Sequence, residues 1–113
     1  MSKLSEKLRK SRLFKFEIDG HKLILERPTQ YDMVILHTHG MPHRDIAQKF
    51  VVGWEEVREV DILKGGTTDI IEFDQDAWCE WLDDNPEWWA PIGEKVVSAF
   101  TEYLDRRKTS VKN

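Results

Sequence analysis

His37, His39 and His43 fall within a span of seven residues, with Asp32 and Asp45 close by. Imidazoles plus carboxylate are a plausible donor set for zinc or nickel. The spacing argues against such a site. On a helix His37 and His39 project about 200° apart, and Gly40 and Pro42 make the approach to His43 irregular. Neither paired Cys-x-x-Cys motifs nor His-Glu-x-x-His is present. The cluster reads as surface histidines at a helix end, where the dipole favours imidazolium. Carboxylates also come in pairs, at Glu55-Glu56, Asp74 with Asp76, and Asp83-Asp84. General acid–base catalysis needs one carboxyl buried with a raised pKa and another held ionised. Asp74 is better suited to capping a helix, and Asp83, Asp84 and Glu87 to a solvated acidic face. Lys64-Gly65-Gly66-Thr67 lacks the glycine spacing and the following helix of a phosphate loop, and reads as a turn. The single Cys79 cannot form an intramolecular disulfide and sits as a packed or half-exposed thiol between Trp78 and Glu80. The chain is therefore expected not to be an enzyme and to need neither cofactor nor metal.

The other conspicuous chemistry is aromatic. Phe73 to Ile92 holds four of the five tryptophans and six carboxylates, a mixture suited to packing and recognition. Trp78, Trp81 and Leu82 share one helical face and are expected in the core. Trp88 and Trp89 are adjacent, so on a helix they point about 100° apart and cannot be equally buried. One of them is a candidate binding anchor, since exposed tryptophan is enriched at interface hot spots. Base stacking is the other use of exposed tryptophan, but the surrounding acid argues against it.

These residues need elements to position them. Phe14, Phe16 and Ile18 alternate with charge, Asp19-Gly20 is a strong hairpin-turn signal, and Leu23 and Leu25 alternate on the return, predicting a β-hairpin over 13–27. Thr29 with Asp32 forms a variant capping box for a helix from about Gln30, with Tyr31, Val34, Ile35 and Thr38 on one face. Gly40 and Pro42 end it. A second short helix is expected from His43 to Phe50, burying Ile46, Ala47 and Phe50. Val51 to Trp54 reads as an apolar turn. Val57–Leu63 and Thr68–Phe73 suggest a second hairpin or an irregular loop. Asp74 is an N-cap, with Phe73 and Trp78 as its hydrophobic staple. Asn85-Pro86 restarts the chain, and Pro91 is expected to separate one turn from a long helix carrying Ile92, Val96, Ala99, Phe100, Tyr103 and Leu104. The predicted class is α+β, mainly helical, with one or two small hairpins packed against four to five short helices.

A chain of 113 residues has room for one core. The expected organisation is a basic, flexible N-terminal tail over 1–12 with weak helical periodicity through Leu4 and Leu8, one globular domain over 13–107, and a flexible C-terminal tail over 108–113. No apolar run reaches the ~20 residues of a membrane span, and the N-terminus lacks the apolar stretch of a signal peptide, so a cytoplasmic protein without membrane partners is expected. The net charge of −4 conceals an asymmetry. Residues 1–15 carry six cations against Glu6, for +5, and residues 105–113 carry four against Asp105, for +3, leaving −12 for the body between. Such a body repels nucleic acid overall. The basic ends are either solvated or dock onto acid, in a partner or in the body of a neighbouring subunit.

One resemblance sharpens the contact reading. Val52-Gly53-Trp54-Glu55-Glu56-Val57 resembles a segment of small phage proteins known as tail assembly chaperones. The Gly-Gly turn leading to Ile71-Glu72-Phe73-Asp74, the run Trp81-Leu82-Asp83-Asp84-Asn85-Pro86 with Pro91-Ile92, and Arg27-Pro28-Thr29 after the hairpin are similar too. The resemblance spans roughly residues 13–104 and rests on packing motifs, with no catalytic residues to carry over. It implies a cytoplasmic protein of phage or prophage virion morphogenesis that binds the long helical tape measure protein, keeps it soluble, and delivers it to the tail tube protein. It also implies self-association, and a second, longer form made by a programmed frameshift. Trp54, Trp88 and Trp89 are the expected contact residues. The alternatives are a minor phage structural or head–tail connector protein, or a small regulatory binding module.

Overall fold

The computed structural model describes residues 2–112, with side chains described for 2–108. It opens with a helix, α1 (Lys3–Ser11), whose N-cap Ser2 accepts a hydrogen bond from the Ser5 N–H at 3.1 Å. Residues 3–11 of the segment expected as a flexible tail are therefore helical, although none of them is buried. The hairpin follows as β1 (Leu13–Ile18) and β2 (His21–Glu26), in antiparallel register from Leu13 opposite Glu26 to Ile18 opposite His21. Asp19 (φ 49°) and Gly20 (φ 80°) supply the two left-handed residues that the tight turn demands.

Helix α2 (Gln30–Thr38) is held by the reciprocal capping box, in which Asp32 N–H donates to Thr29 Oγ1 and Thr29 N–H donates to Asp32 Oδ2. Its buried residues are Met33 and Leu36. Tyr31 and Val34, expected on an apolar face, are exposed. The helix ends in a Schellman arrangement: Gly40 is left-handed at φ 58°, its N–H reaches His37 O, and Met41 N–H reaches Leu36 O. Helix α3 (His43–Phe50) then buries Ile46, Ala47 and Phe50.

Val51 to Trp54, expected as a turn, belongs instead to a third strand, β3 (Val51–Glu55), paired antiparallel to β2 in the order β1-β2-β3. Leu25 faces Val51 and Ile24 faces Gly53, so Val52 is an extra residue in the ladder and bulges outward. The bulge lets Val51 and Trp54, three apart in sequence, both face the core beside Leu23 and Leu25.

Residues 56–73 form no second hairpin. They make an irregular loop holding one helical turn, α4 (Glu59–Ile62), and an isolated bridge between Arg58 and Ile70. Helix α5 (Gln75–Asp83) is capped by Asp74, which accepts from the N–H groups of Asp76 and Ala77. Phe73 stands edge-on to Trp54 at 4.8 Å. A 3-10 turn, Pro86–Trp88, leads into α6 (Trp89–Lys112). The break falls before Trp89. Pro91 lies within the first turn of α6, where its missing N–H costs nothing. The backbone of α6 carries on through Lys112. The remainder of the expected C-terminal tail, residue 113 and the side chains beyond Lys108, lies outside the described residues.

The architecture is thus α+β and mainly helical. The core lies between one face of the sheet and α3, α5 and α6. Helices α3 and α6 approach closely at Gly93, where an added Cβ would lie 2.7 Å from the His43 ring and 3.0 Å from His43 Cβ. Among the described residues, no helix is long and apolar enough to cross a membrane.

Candidate functional site

Four tryptophans form a single cluster. Trp81 sits at its centre, with ring centroids 5.9 Å from Trp54, 6.1 Å from Trp78, 5.0 Å from Trp88 and 4.8 Å from His21. The Trp78 and Trp88 rings stack 12° from parallel at 6.3 Å. Three of the four indole N–H groups have acceptors: Trp54 donates to Ile71 O at 3.0 Å, Trp78 to Ala47 O at 3.2 Å, and Trp88 to Asp19 Oδ2 at 2.5 Å. Such matching is what burying an indole requires.

The expected contact residues divide accordingly. Trp54 at 7% and Trp88 at 3% exposure are core residues. Their rings are spent on packing and their N–H groups on internal acceptors, which corrects the expectation that they stand out as anchors. Trp89 is half-buried and donates to Leu82 O at 2.8 Å. It alone of the three keeps substantial ring surface available.

The histidine segment provides no assembled donor set. His37, His39 and His43 are all exposed. Asp32 is occupied by the α2 cap and Asp45 by Arg44. Among the described residues, no three or more His, Cys, Asp or Glu side chains are grouped to hold a metal ion. The carboxylates with shifted pKa values lie on the surface in ion pairs. Arg44 grips Asp83 through Nε at 2.8 Å and a second nitrogen at 3.1 Å, joining α3 to α5. These charge-assisted bonds hold the Asp83 carboxyl below its usual range. Lys15, 2.8 Å from Glu55, depresses Glu55 in the same way. Neither carboxyl has the raised pKa of a general acid.

No family model, curated protein or solved structure matches this chain. The site must therefore be read from its own geometry.

A surface with exposed apolar side chains and an unpartnered guanidinium nitrogen lies where α1 meets the C-terminal half of α6. Leu4 and Leu8, one turn apart on α1, are 66% and 52% exposed. Leu8 lines a groove of about 350 Å³ with Phe100, Tyr103 and Leu104 of α6, rimmed by Arg12, Arg27 and Arg107. On the other side of Arg12 and Arg27 lies a second cavity of about 310 Å³, which Leu13, Lys95 and Arg106 also line. Guanidinium groups from three separate segments converge here. Arg12 follows α1, Arg27 follows β2, and the Arg27 N–H donates to Arg12 O at 2.8 Å. Arg27 lies 3.7 Å over the Tyr103 ring, a cation–π contact. Burial, and to a lesser extent the charges of Arg12 and Arg106, pull its pKa down. Arg12 Nε is buried with no hydrogen-bond partner.

Sequence reasoning places the Leu4/Leu8 periodicity in a flexible tail and reads the basic ends as either solvated or docked onto acid. The signal that was present is the +5 and +3 charge of the two ends. What no local rule shows is that the ends meet at Arg27.

Proposed function

We propose that this chain works by contact, as a phage or prophage tail assembly chaperone that holds the tape measure protein during tail morphogenesis in the host cytoplasm. The observation that carries the reading is the groove between α1 and α6. It is apolar along Leu8, Tyr103 and Leu104, and basic along its rim. Those are the requirements for holding an amphipathic helix with an acidic flank: apolar side chains supply burial, and charge supplies orientation and on-rate. The resemblance of residues 13–104 to tail assembly chaperones supports a long helical client. The contact set proposed is Leu4, Leu8, Tyr103 and Leu104, with Trp89 as an outlying anchor and Trp54 and Trp88 retained as core.

Two experiments test this. A very long helical reading frame should lie beside the gene, with a slippery heptamer near the stop codon of this one. Coexpressed with that neighbour, the chain should keep it soluble and copurify with it, and Leu8→Glu combined with Leu104→Glu should abolish copurification while leaving the chain folded. A neighbour that stays insoluble in the presence of wild-type chain defeats the proposal. So does recovery of the chain in purified virions, which would favour a structural component.

A further inference from the structure

The cavity between the α1–β1 junction and α6 gathers positive charge that the fold does not neutralise. One wall is a stripe of α6: Lys95, Ala99, Glu102 and Arg106 stand four, three and four residues apart and so share a helical face. The facing wall comes from the junction, through Arg12 and Lys15, and from the end of β2, through Arg27. Ala99 is buried in the middle of the stripe, where its methyl group leaves room between longer neighbours.

Five cations and one carboxylate, Glu102, line this space. Lys15 is already paired with Glu55 at 2.8 Å. Among the described residues, Arg12, Arg27, Lys95 and Arg106 form no ion pair within 4.0 Å. Four unpaired cations against Glu102 leave a local charge of +3. Burial first, and then the charges of Arg12 and Arg106, lower the pKa of Arg27, so the three guanidinium groups act on one another. Arg12 Nε is withdrawn from water without an acceptor. Like charges held together in this way oppose folding, and a bound anion reverses the sign of their effect.

The lining also selects the anion. A guanidinium fork matches paired phosphoryl oxygens and keeps its charge throughout the ordinary pH range. A single phosphoryl group carries about −1.5 to −2 at neutral pH, so two linked groups come closer to balancing the site. The volume of about 310 Å³ lies at the small end of ligand pockets, which suits a compact anion.

We propose that this cavity binds a diphosphate group, held by Arg12, Arg27, Lys95 and Arg106. Free pyrophosphate and the diphosphate of a nucleotide share that chemistry, and the test separates them. The inference does not rest on the chaperone reading: it concerns the cavity face of Arg12 and Arg27, not the Leu8–Leu104 groove.

Titration calorimetry of the full chain with inorganic pyrophosphate, in metal-free buffer at physiological salt, is the experiment. Wild type should bind at a single site, and a hundredfold excess over the dissociation constant should raise the melting temperature by about 10 °C. Lys95→Gln with Arg106→Gln should raise the dissociation constant about tenfold or more. Arg107→Gln with Lys108→Gln removes the same charge from α6 outside the cavity lining, and screening should limit its effect to about twofold. Glu102→Gln removes the one opposing charge and should tighten binding about threefold. Inorganic phosphate should bind about tenfold more weakly than pyrophosphate. Adenosine diphosphate binding as tightly as pyrophosphate, or more so, supports a nucleotide source, and weaker binding supports the free anion. Wild type that takes up no pyrophosphate at millimolar concentration overturns the proposal, as does a Lys95/Arg106 double variant that remains folded and binds as wild type does. Equal losses in the two double variants would assign the effect to diffuse surface charge and refute a site. So would weaker binding to Glu102→Gln, or phosphate bound as tightly as pyrophosphate. An acidic peptide that binds this cavity where pyrophosphate does not would give the site to a protein partner and equally refute it.

Discussion

Trp88 and Trp89 are neighbours in sequence with opposite surroundings, and replacing each in turn tests the packing argument directly. Trp88 is 3% exposed, stacks on Trp78 at 6.3 Å, stands edge-on to Trp81 at 5.0 Å and donates to Asp19. Trp88→Ala removes a buried ring whose loss typically costs ~3–5 kcal/mol, including the cavity left behind. The lost hydrogen bond adds little, because Asp19 is exposed and water replaces its partner. A domain of this size has a total stability of roughly 6–17 kcal/mol, so the change removes a large share of it. At about 4 °C per kcal/mol the melting temperature should fall by ~12–20 °C. Trp88→Phe keeps a ring in place and should cost ~1–2 kcal/mol. Trp89→Ala removes a half-buried ring and one bond to Leu82 O, for ~1–2 kcal/mol. Scanning calorimetry of the three variants beside wild type is the assay. Equal losses for Trp88→Ala and Trp89→Ala, or a larger loss for Trp89→Ala, would refute the assignment of Trp88 to the core and Trp89 to its edge.

Two further outcomes follow from single contacts. Asp83 is held below its usual pKa by Arg44, so its contribution is complete above the ordinary carboxylate value of about 4 and is lost as pH falls through its lower folded value. The melting temperature lost in Arg44→Gln should therefore shrink between neutral pH and about pH 2, and a constant difference would show that Asp83 is not the partner that matters. Gly93→Ala gains up to about 1 kcal/mol of helix propensity but forces a methyl group within 3.0 Å of His43. A net destabilisation of ~1–2 kcal/mol is expected, and a stabilised Gly93→Ala would show that α3 and α6 separate easily.

What the sequence reveals about this fold is what local chemistry decides. The hairpin could be read because Phe14, Phe16 and Ile18 alternate into Asp19-Gly20, and the α2 and α5 caps because Thr29, Asp32 and Asp74 act within one turn of themselves. β3 was misread because the bulge at Val52 puts its core residues three apart, which hides the period of two. The buried face of α2 was misjudged because the helix carries two apolar stripes, and only packing selects Met33 and Leu36 over Tyr31 and Val34. Trp54 and Trp88 looked like anchors because sequence cannot show that Ile71 O and Asp19 await their N–H groups. The candidate groove was legible only as charge and as the Leu4/Leu8 spacing, since its walls come from opposite ends of the chain.

The tryptophan cluster also has an optical consequence. Indole transitions on rings 5.0–6.3 Å apart, one pair nearly parallel and its neighbour crossing at 80–88°, are coupled excitons rather than independent chromophores. The ultraviolet dichroism of the folded chain therefore carries a couplet belonging to Trp78, Trp81 and Trp88 jointly. These rings are contributed by α5 and the 3-10 turn, and the turn is tied to the hairpin through Asp19. The share contributed by Trp88 is lost when those segments separate, whereas the Trp78–Trp81 coupling within α5 persists as long as that helix does. The amplitude of the Trp88 share is a built-in gauge of tertiary assembly, legible without label or ligand.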